Sequence, residues 1–243
     1  MGLRPAFWQD YVPANMGTRI AKRSTAGHAP RVAVLVDTST SWGRRIIKGI
    51  SNYMRNAGAW QVFLESRGLE EKLSLPKGWR GDGVIARVGH AEMVDELNAS
   101  RLPVVNVSGI ELPHERFPCV TTDLEASARM AAEHLLDRGF RHFAYFSLLG
   151  LAYVSSHQQA FIRAVGEAGC QCAVHAIKPR TGAEPDWRLD LARLGEWLKA
   201  LPKPVAILTW NASSGRELIY ACQEANLLVP EEVGHVSCGL GRP

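Results

Sequence analysis

From Arg31 onward, short apolar runs alternate with helical patterns, and this alternation leaves the chain few folds to choose from. Seven such runs occur, at 31–37, 61–65, 83–87, 103–107, 142–147, 172–177 and 204–209. Strands that are apolar throughout are typical of sheets buried on both faces, and strands joined through helices pair in parallel. The sequence therefore predicts an α/β fold built on doubly wound parallel sheets.

The helical segments between these runs carry their own boundary signals. Apolar residues recur at intervals of three and four after Gly43, and Gly58 is expected to end that helix. Four more helices are expected, starting at Thr122 or Asp123 and ending at Gly139, starting at Ser155 or Ser156 and ending at Gly169, and covering 187–200 and 214–226. An alternation of this length predicts two lobes, at 31–121 and 122–243, with 122–139 as a candidate bridge.

Residues 1–30 differ from the rest of the chain. They mix proline, glycine, arginine and serine without periodicity, which indicates a flexible arm, and they hold four cations and one anion of a chain whose net charge is only +4. The remainder is close to neutral, so charge predicts no nucleic-acid face. The arm lacks the apolar core of a secretory signal, and no run is long enough to span a membrane, so we expect a cytoplasmic protein.

Catalytic and metal signatures are absent from the sequence. There is no phosphate-binding loop, nucleophile elbow or zinc-protease motif, and Gly81-Asp82-Gly83 opens a strand where a dinucleotide fingerprint would follow one. The five cysteines and eight histidines are scattered without metal-ligand spacing. We therefore expect a protein that is not an enzyme and that holds neither cofactor nor metal.

The loops that follow the strands are rich in groups suited to neutral, hydroxylated ligands. Carboxylates, amides and guanidinium groups share hydrogen bonds with neighbouring hydroxyls, and aromatic faces cover the apolar side of a sugar ring. The candidates at strand ends are Asp37, Thr38, Ser39, Trp42, Arg67, Arg87, Asp123, Tyr153, Trp210 and Asn211. Simpler roles stay open for several of them: Asp123 as a helix cap, Ser39 or Ser41 as the cap of the first helix, and Trp42 as a hydrophobic staple.

Several segments in this order resemble one family of regulators. They include RGDGVIAR at 80–87, TTD at 121–123 followed by AAEHLLDRGFR at 131–141, and LPKPV at 201–205. Over residues 31–233 the chain resembles the ligand-binding domain of xylose-operon-type transcription regulators, within the larger LacI/GalR-like, periplasmic-binding-protein-like group. Residues 1–30 lie outside the resemblance.

The resemblance implies a two-lobed, periplasmic-binding-protein-like type I fold that closes on a small, pentose-like sugar acting as effector. In that family an AraC-type helix-turn-helix module follows the sensor, and this chain ends before it, so DNA would be a partner only through the missing module. The family also implies a homodimer. The tail from Gly234 to Pro243 departs from the family's next apolar strand and reads as a truncated or frameshifted end, which predicts a C-terminally incomplete fold.

The resemblance also implies roles for particular residues. Asp123 and Asn211 match positions that hydrogen-bond sugar hydroxyls, and 38–42 matches the contact loop after the first strand. His157 stands where the family often has a sugar-binding arginine, Ala212 replaces an aspartate, and a further aspartate after the next strand is missing. Histidine cannot reproduce the two-hydrogen-bond grip of a guanidinium group.

Two alternatives from other classes remain. One is a solute-binding protein of a sugar transport system, against which the lack of an export signal argues. The other is an α/β enzyme that uses Asp37 or Asp123 as a base with His157 nearby.

Overall fold

The computed structural model describes residues 29–66, 72–177 and 187–238, which form two successive α/β units. The first unit, here the first lobe, contains β1 (Arg31–Leu35), α1 (Ser41–Ala57), β2 (Gln61–Leu64), β3 (Gly83–Ala86), α2 (Ala91–Ser100) and β4 (Val104–Asn106). The second lobe contains α3 (Leu124–Asp137), β5 (His142–Leu148), α4 (Ala152–Glu167), β6 (Cys172–Ile177), α5 (Trp187–Ala200), β7 (Val205–Thr209), α6 (Ala212–Glu224) and β8 (Val233–Ser237).

Each lobe is built on one four-stranded sheet, and all of its strand pairs are parallel. The first sheet has the order β2-β1-β3-β4 and the second has the order β6-β5-β7-β8. The two lobes therefore repeat one doubly wound topology. In such sheets the loops after the central strands lie together at the carboxyl edge, where open α/β folds bind ligands.

The first sheet is covered on both faces because alternate residues of β1 point to opposite sides. Val32 and Val34 pack with Ile46, Ile47 and Ile50 of α1. On the opposite face, Ala33 and Leu35 pack with a second cluster whose α2 members are Met93, Val94 and Leu97. Apolar side chains on both sides of the strand explain the uninterrupted apolar run in the sequence.

The second sheet follows the same rule with larger side chains. Phe143 and Tyr145 of β5 face α3 and α4. Ala144 and Phe146 face α5 and α6. The helix α3 packs through Ala128, Ala132 and Leu135 on the first of these faces, so it belongs to the second lobe.

The predicted α/β class is confirmed, and all seven predicted strands are present within one or two residues of their expected ends. The prediction for α4 is wrong at its start: Ser155 and Ser156 lie inside the helix, which begins at Ala152 with Leu151 at the cap position and no side-chain cap hydrogen bond. The helix α6 likewise begins at Ala212, two residues before the expected start, because Asn211 caps it.

One strand of the structure, β8, is not among the seven that the sequence predicts. Val233 to Ser237 form β8, which pairs with β7 over five residues although the sequence from Gly234 departs from the predicted strand pattern. Gly234 allows this close packing, because a Cβ there would meet the Phe140 ring at 2.4 Å. The packing of β8 against Phe140 therefore requires glycine at position 234. The same glycine interrupts the apolar pattern by which the strand could have been predicted.

Residues 1–28 of the proposed arm, Arg67 and the tail beyond Cys238 lie outside the described residues. The lobe boundary at 121/122 stays a prediction. Among the helices in the described ranges, none has the combination of length and hydropathy that crossing a membrane requires.

The first helix is capped by a residue that the sequence reading passed over. Thr40, and not Ser39 or Ser41, accepts a hydrogen bond through Oγ1 from the Gly43 amide at 3.0 Å. Because this bond satisfies a helix-end donor, we expect Thr40→Ala to lower the free energy of unfolding by about 1 kcal/mol. Urea unfolding followed by circular dichroism measures it, with Ser41→Ala as the matched control; equal losses in the two variants would contradict the assignment.

Candidate functional site

A buried carboxylate lies at the centre of the first lobe's carboxyl edge. Asp37 follows β1 by two residues and is only 2% exposed. Its Oδ2 is buried and has no hydrogen-bond partner among the described residues. The Nε of Arg87, just after β3, lies 3.5 Å from that oxygen. Burial raises the pKa of Asp37, while the Arg87 charge acts to lower it. Asp37 and Arg87 are thus held together by charge, and the Asp37 carboxylate can still accept hydrogen bonds from another group.

The loop from Thr38 to Trp42 joins this carboxylate to α1. The carbonyl oxygens of Thr38 and Ser39 accept hydrogen bonds from Arg44, at 3.2 and 2.7 Å, which fixes the path of the loop. Ser39 is exposed. Trp42 packs against the valines of the β1 core, as a residue that anchors the helix start would. Of the alternatives left open by the sequence, the packing role of Trp42 is the one that its contacts support.

The neighbouring loops are tied by Asn106, which the sequence reading did not select. Asn106 is 1% exposed at the end of β4. Its Oδ1 accepts from the Val88 amide at 3.2 Å and from the Ser108 amide at 2.8 Å, and its Nδ2 donates to Glu115. The sequence does contain a signal for this role, because Asn106 is a polar residue at the end of the otherwise apolar strand β4. This residue therefore joins the loops that follow β3 and β4.

Two of the residues predicted to bind sugar cap helices of the second lobe. Asp123 is exposed, and its Oδ1 accepts from the Ala126 amide at 2.9 Å. Asn211 is half-buried, and its Oδ1 accepts from the Ser214 amide at 2.8 Å. Each therefore has one oxygen engaged in its helix, which agrees with the capping alternative for Asp123. Their ligand role stays a prediction, and it would use the remaining carboxylate oxygen of Asp123 and the amide nitrogen of Asn211.

An aromatic pair stands at the carboxyl edge of the second sheet. Tyr153, at the start of α4, and Trp210, directly after β7, have ring centroids 5.3 Å apart at an angle of 54°. A Cβ built on Gly109, in the loop after β4, would lie 3.4 Å from the Cβ of Tyr153. The two lobes therefore meet here through their carboxyl-edge loops. We call Tyr153 and Trp210 the aromatic wall.

His157 lies behind this wall and is fully buried. Its Nδ1 is 2.7 Å from the Tyr145 hydroxyl, its Nε2 is 2.9 Å from the Cys238 Sγ, and its ring meets Trp210 edge-on at 5.4 Å. Burial lowers the pKa of His157 to about 4, so the imidazole is neutral near pH 7. Both ring nitrogens have protein partners, and a direct ligand contact by His157 stays a prediction without a contact to support it.

Tyr145 and Cys238 are the partners that the sequence reading missed. Tyr145 lies in a strand that reads as plain core, and Cys238 follows the strand that was not recognised. Had β8 been assigned, the position of Cys238 at a carboxyl edge would have marked it as a candidate. Among the described residues there is no group of three histidine, cysteine or acidic side chains that could hold a metal ion.

Comparisons with known proteins agree with this architecture. Residues 31–124 match the family model described as the XylR N-terminal domain, and residues 132–239 match the periplasmic binding protein-like domain. The xylose operon regulatory protein of Escherichia coli K12 is 26% identical over 210 residues, covering 84% of this chain and 53% of that protein. Its counterpart from Haemophilus influenzae is 26% identical over 221 residues, covering 84% and 54%.

A solved structure gives the same picture. The xylose-binding transcription activator XylR superposes with a TM-score of 0.72 at 24% identity, over 88% of this chain and 55% of that one. The chain spans about half the length of the curated relatives it matches. Over residues 31–124 and 132–239, the chain is a homologue of the xylose operon regulators and has their periplasmic-binding-protein-like α/β fold.

Proposed function

We propose that this chain is the sugar-sensing part of a cytoplasmic transcription regulator of the xylose-operon type. The homology supports a regulatory role, and the loops at the two carboxyl edges supply the chemistry. A small sugar bound there acts as effector, DNA is read by a separate domain of the regulator, and the regulator works as a homodimer. The relatives named above are regulators and not enzymes.

The observation that carries the proposal is the buried Oδ2 of Asp37, which faces Arg87 at 3.5 Å but has no hydrogen bond among the described residues. A buried carboxylate oxygen without a hydrogen bond is costly unless a ligand supplies the donor. A sugar hydroxyl is such a donor, and Arg87 beside it can donate to a second oxygen of the same ring. At the carboxyl edge of the second sheet, the aromatic wall offers ring faces suited to the C–H side of a sugar.

The same contacts weigh against the enzyme alternative. A general base beside a histidine requires an imidazole that can exchange protons with a substrate. Both nitrogens of His157 are already bonded within the protein, and burial keeps it neutral. Asp123 caps α3 from the surface. These roles are structural, and they favour a receptor over a catalyst.

We expect Asp37→Asn to weaken sugar binding by about 10- to 100-fold, because a hydrogen bond to a charged acceptor contributes roughly 1.5–3 kcal/mol. The substitution keeps the size of the side chain and removes its charge. Isothermal titration calorimetry with D-xylose, L-arabinose and D-ribose measures the effect, with Asp95→Asn on the exposed face of α2 as the matched control.

The control variant should bind like the unaltered protein. Equal sugar affinities of the Asp37→Asn and Asp95→Asn variants would show that Asp37 does not contact the sugar. If the unaltered protein gives no heat with any of the three pentoses, sugar sensing by this chain is contradicted.

A further inference from the structure

Behind the aromatic wall lies a row of hydrogen-bonded groups with a role of its own. It runs from the Tyr145 hydroxyl through the two nitrogens of His157 to the Cys238 Sγ, and then to the Ser127 Oγ at 3.5 Å. These residues come from β5, α4, the end of β8 and the first turn of α3. The row therefore joins four elements at the carboxyl edge of the second sheet.

The chemistry of the row fixes the orientation of the imidazole. A neutral histidine has one donor and one acceptor nitrogen, so one of its two partners must donate and the other must accept. Rotation of the ring by half a turn would place carbon atoms against both partners and leave buried polar groups unsatisfied, at a cost of roughly 1–3 kcal/mol each. The ring is thus held in one orientation, and no face of it is left to solvent.

The fixed ring in turn supports the wall. His157 meets Trp210 at an interplanar angle of 74°, which is the favourable edge-on arrangement for two aromatic rings. Trp210 contacts Tyr153, and the Tyr153 Cβ lies 3.4 Å from the position that a Cβ on Gly109 of the first lobe would take. A continuous series of contacts therefore leads from Cys238 to the place where the two lobes meet.

We infer that Tyr145, His157 and Cys238 form a positioning unit, which sets the orientation of Trp210 and, through it, the contact of Tyr153 with the first lobe. His157 acts on the ligand site only through Trp210. The inference deepens the proposed function, and its consequence for sugar binding rests on that function, whereas its consequence for Trp210 does not.

The test uses the pair Cys238→Ala and Cys238→Ser in the full chain. Serine keeps a group that donates to and accepts from His157, and alanine removes it. With 5-fluorotryptophan incorporated, the 19F resonance of Trp210 is identified by its loss in Trp210→Phe. We expect Cys238→Ala to shift and broaden that resonance in the sugar-free protein, and Cys238→Ser to restore it.

A histidine control separates positioning from general stability. His175 packs against Trp197 with ring centroids 4.9 Å apart, away from the wall. His157→Gln should move the Trp210 resonance, whereas His175→Gln should move only that of Trp197. An unchanged Trp210 resonance in folded Cys238→Ala and His157→Gln proteins would overturn the inference.

Sugar titration of the same variants tests the link to binding. If the unaltered protein binds D-xylose, Cys238→Ala should weaken binding about tenfold, because it removes one buried hydrogen bond, and Cys238→Ser should not. Equal affinity in all three would overturn the link to the site. If the unaltered protein binds no sugar, the proposed function fails, and the 19F shifts in the sugar-free protein still decide the positioning role.

Discussion

Gly43→Ala is expected to lower the free energy of unfolding by about 3 kcal/mol. Gly43 is buried in the first turn of α1, and a Cβ there would lie 1.8 Å from the carbonyl oxygen of Asp37 and 3.2 Å from the Thr40 Oγ1. The nearest obstacle is backbone, which cannot rotate away as a side chain would. The alanine variant must therefore displace either the helix start or the strand end that carries Asp37.

The chain offers a matched control on the same helix. Gly49 is exposed, and a Cβ there would meet nothing within 4 Å. Because alanine is the better helix former, Gly49→Ala should raise stability by about 1 kcal/mol. Urea unfolding of both variants measures the difference of about 4 kcal/mol between them. A Gly43→Ala protein as stable as the unaltered chain would show that α1 does not approach β1 this closely.

The fold was predictable largely because its strands are buried on both faces. Residues 32–36 and 205–208 are apolar without interruption, and they lie in the two central strands β1 and β7 and in the residue that follows β1. The start of α4 was not predictable from caps, because Ser155 and Ser156 resemble capping residues yet lie inside the helix. Its true start follows a turn between β5 and α4 that contains Gly150, with a φ of +85°. The residues around Ser155 and Ser156 do not indicate that the helix begins at this earlier turn.

The candidate site was predictable in outline but not in detail. The sequence placed Asp37, Arg87 and Trp210 at the carboxyl ends of parallel strands, and they lie there because that edge follows from topology. The partners of each residue depend on packing between distant segments. His157 meets Cys238, which lies 81 residues further along, and only the fold shows that both of its nitrogens are engaged. A cap and a ligand contact also call for the same residue types, so Asp123 and Asn211 could not be assigned by pattern.

Acidification from pH 7 to pH 5 is expected to remove about 2 kcal/mol of stability through His157 alone. Burial lowers the pKa of this residue from 6.5 to about 4, so the folded state resists protonation while the unfolded state takes up a proton below pH 6.5. The contribution is fully present above pH 6.5, is lost as the pH falls toward 4, and approaches about 3 kcal/mol in total. Its partners Tyr145 and Cys238 stay neutral in this range, because burial raises the pKa of each.

The slope must be measured against a variant, because burial also lowers the pKa of His134, His175 and His235, and those residues add loss of the same sign. Urea unfolding at half-unit intervals between pH 7 and pH 5 should give His157→Gln a loss smaller by about 2 kcal/mol than that of the unaltered protein. His142→Gln, at an exposed position, should follow the unaltered protein. Parallel curves for all three proteins would mean that the folded state protonates His157 as readily as the unfolded state does, and they would contradict the expected effect of its burial.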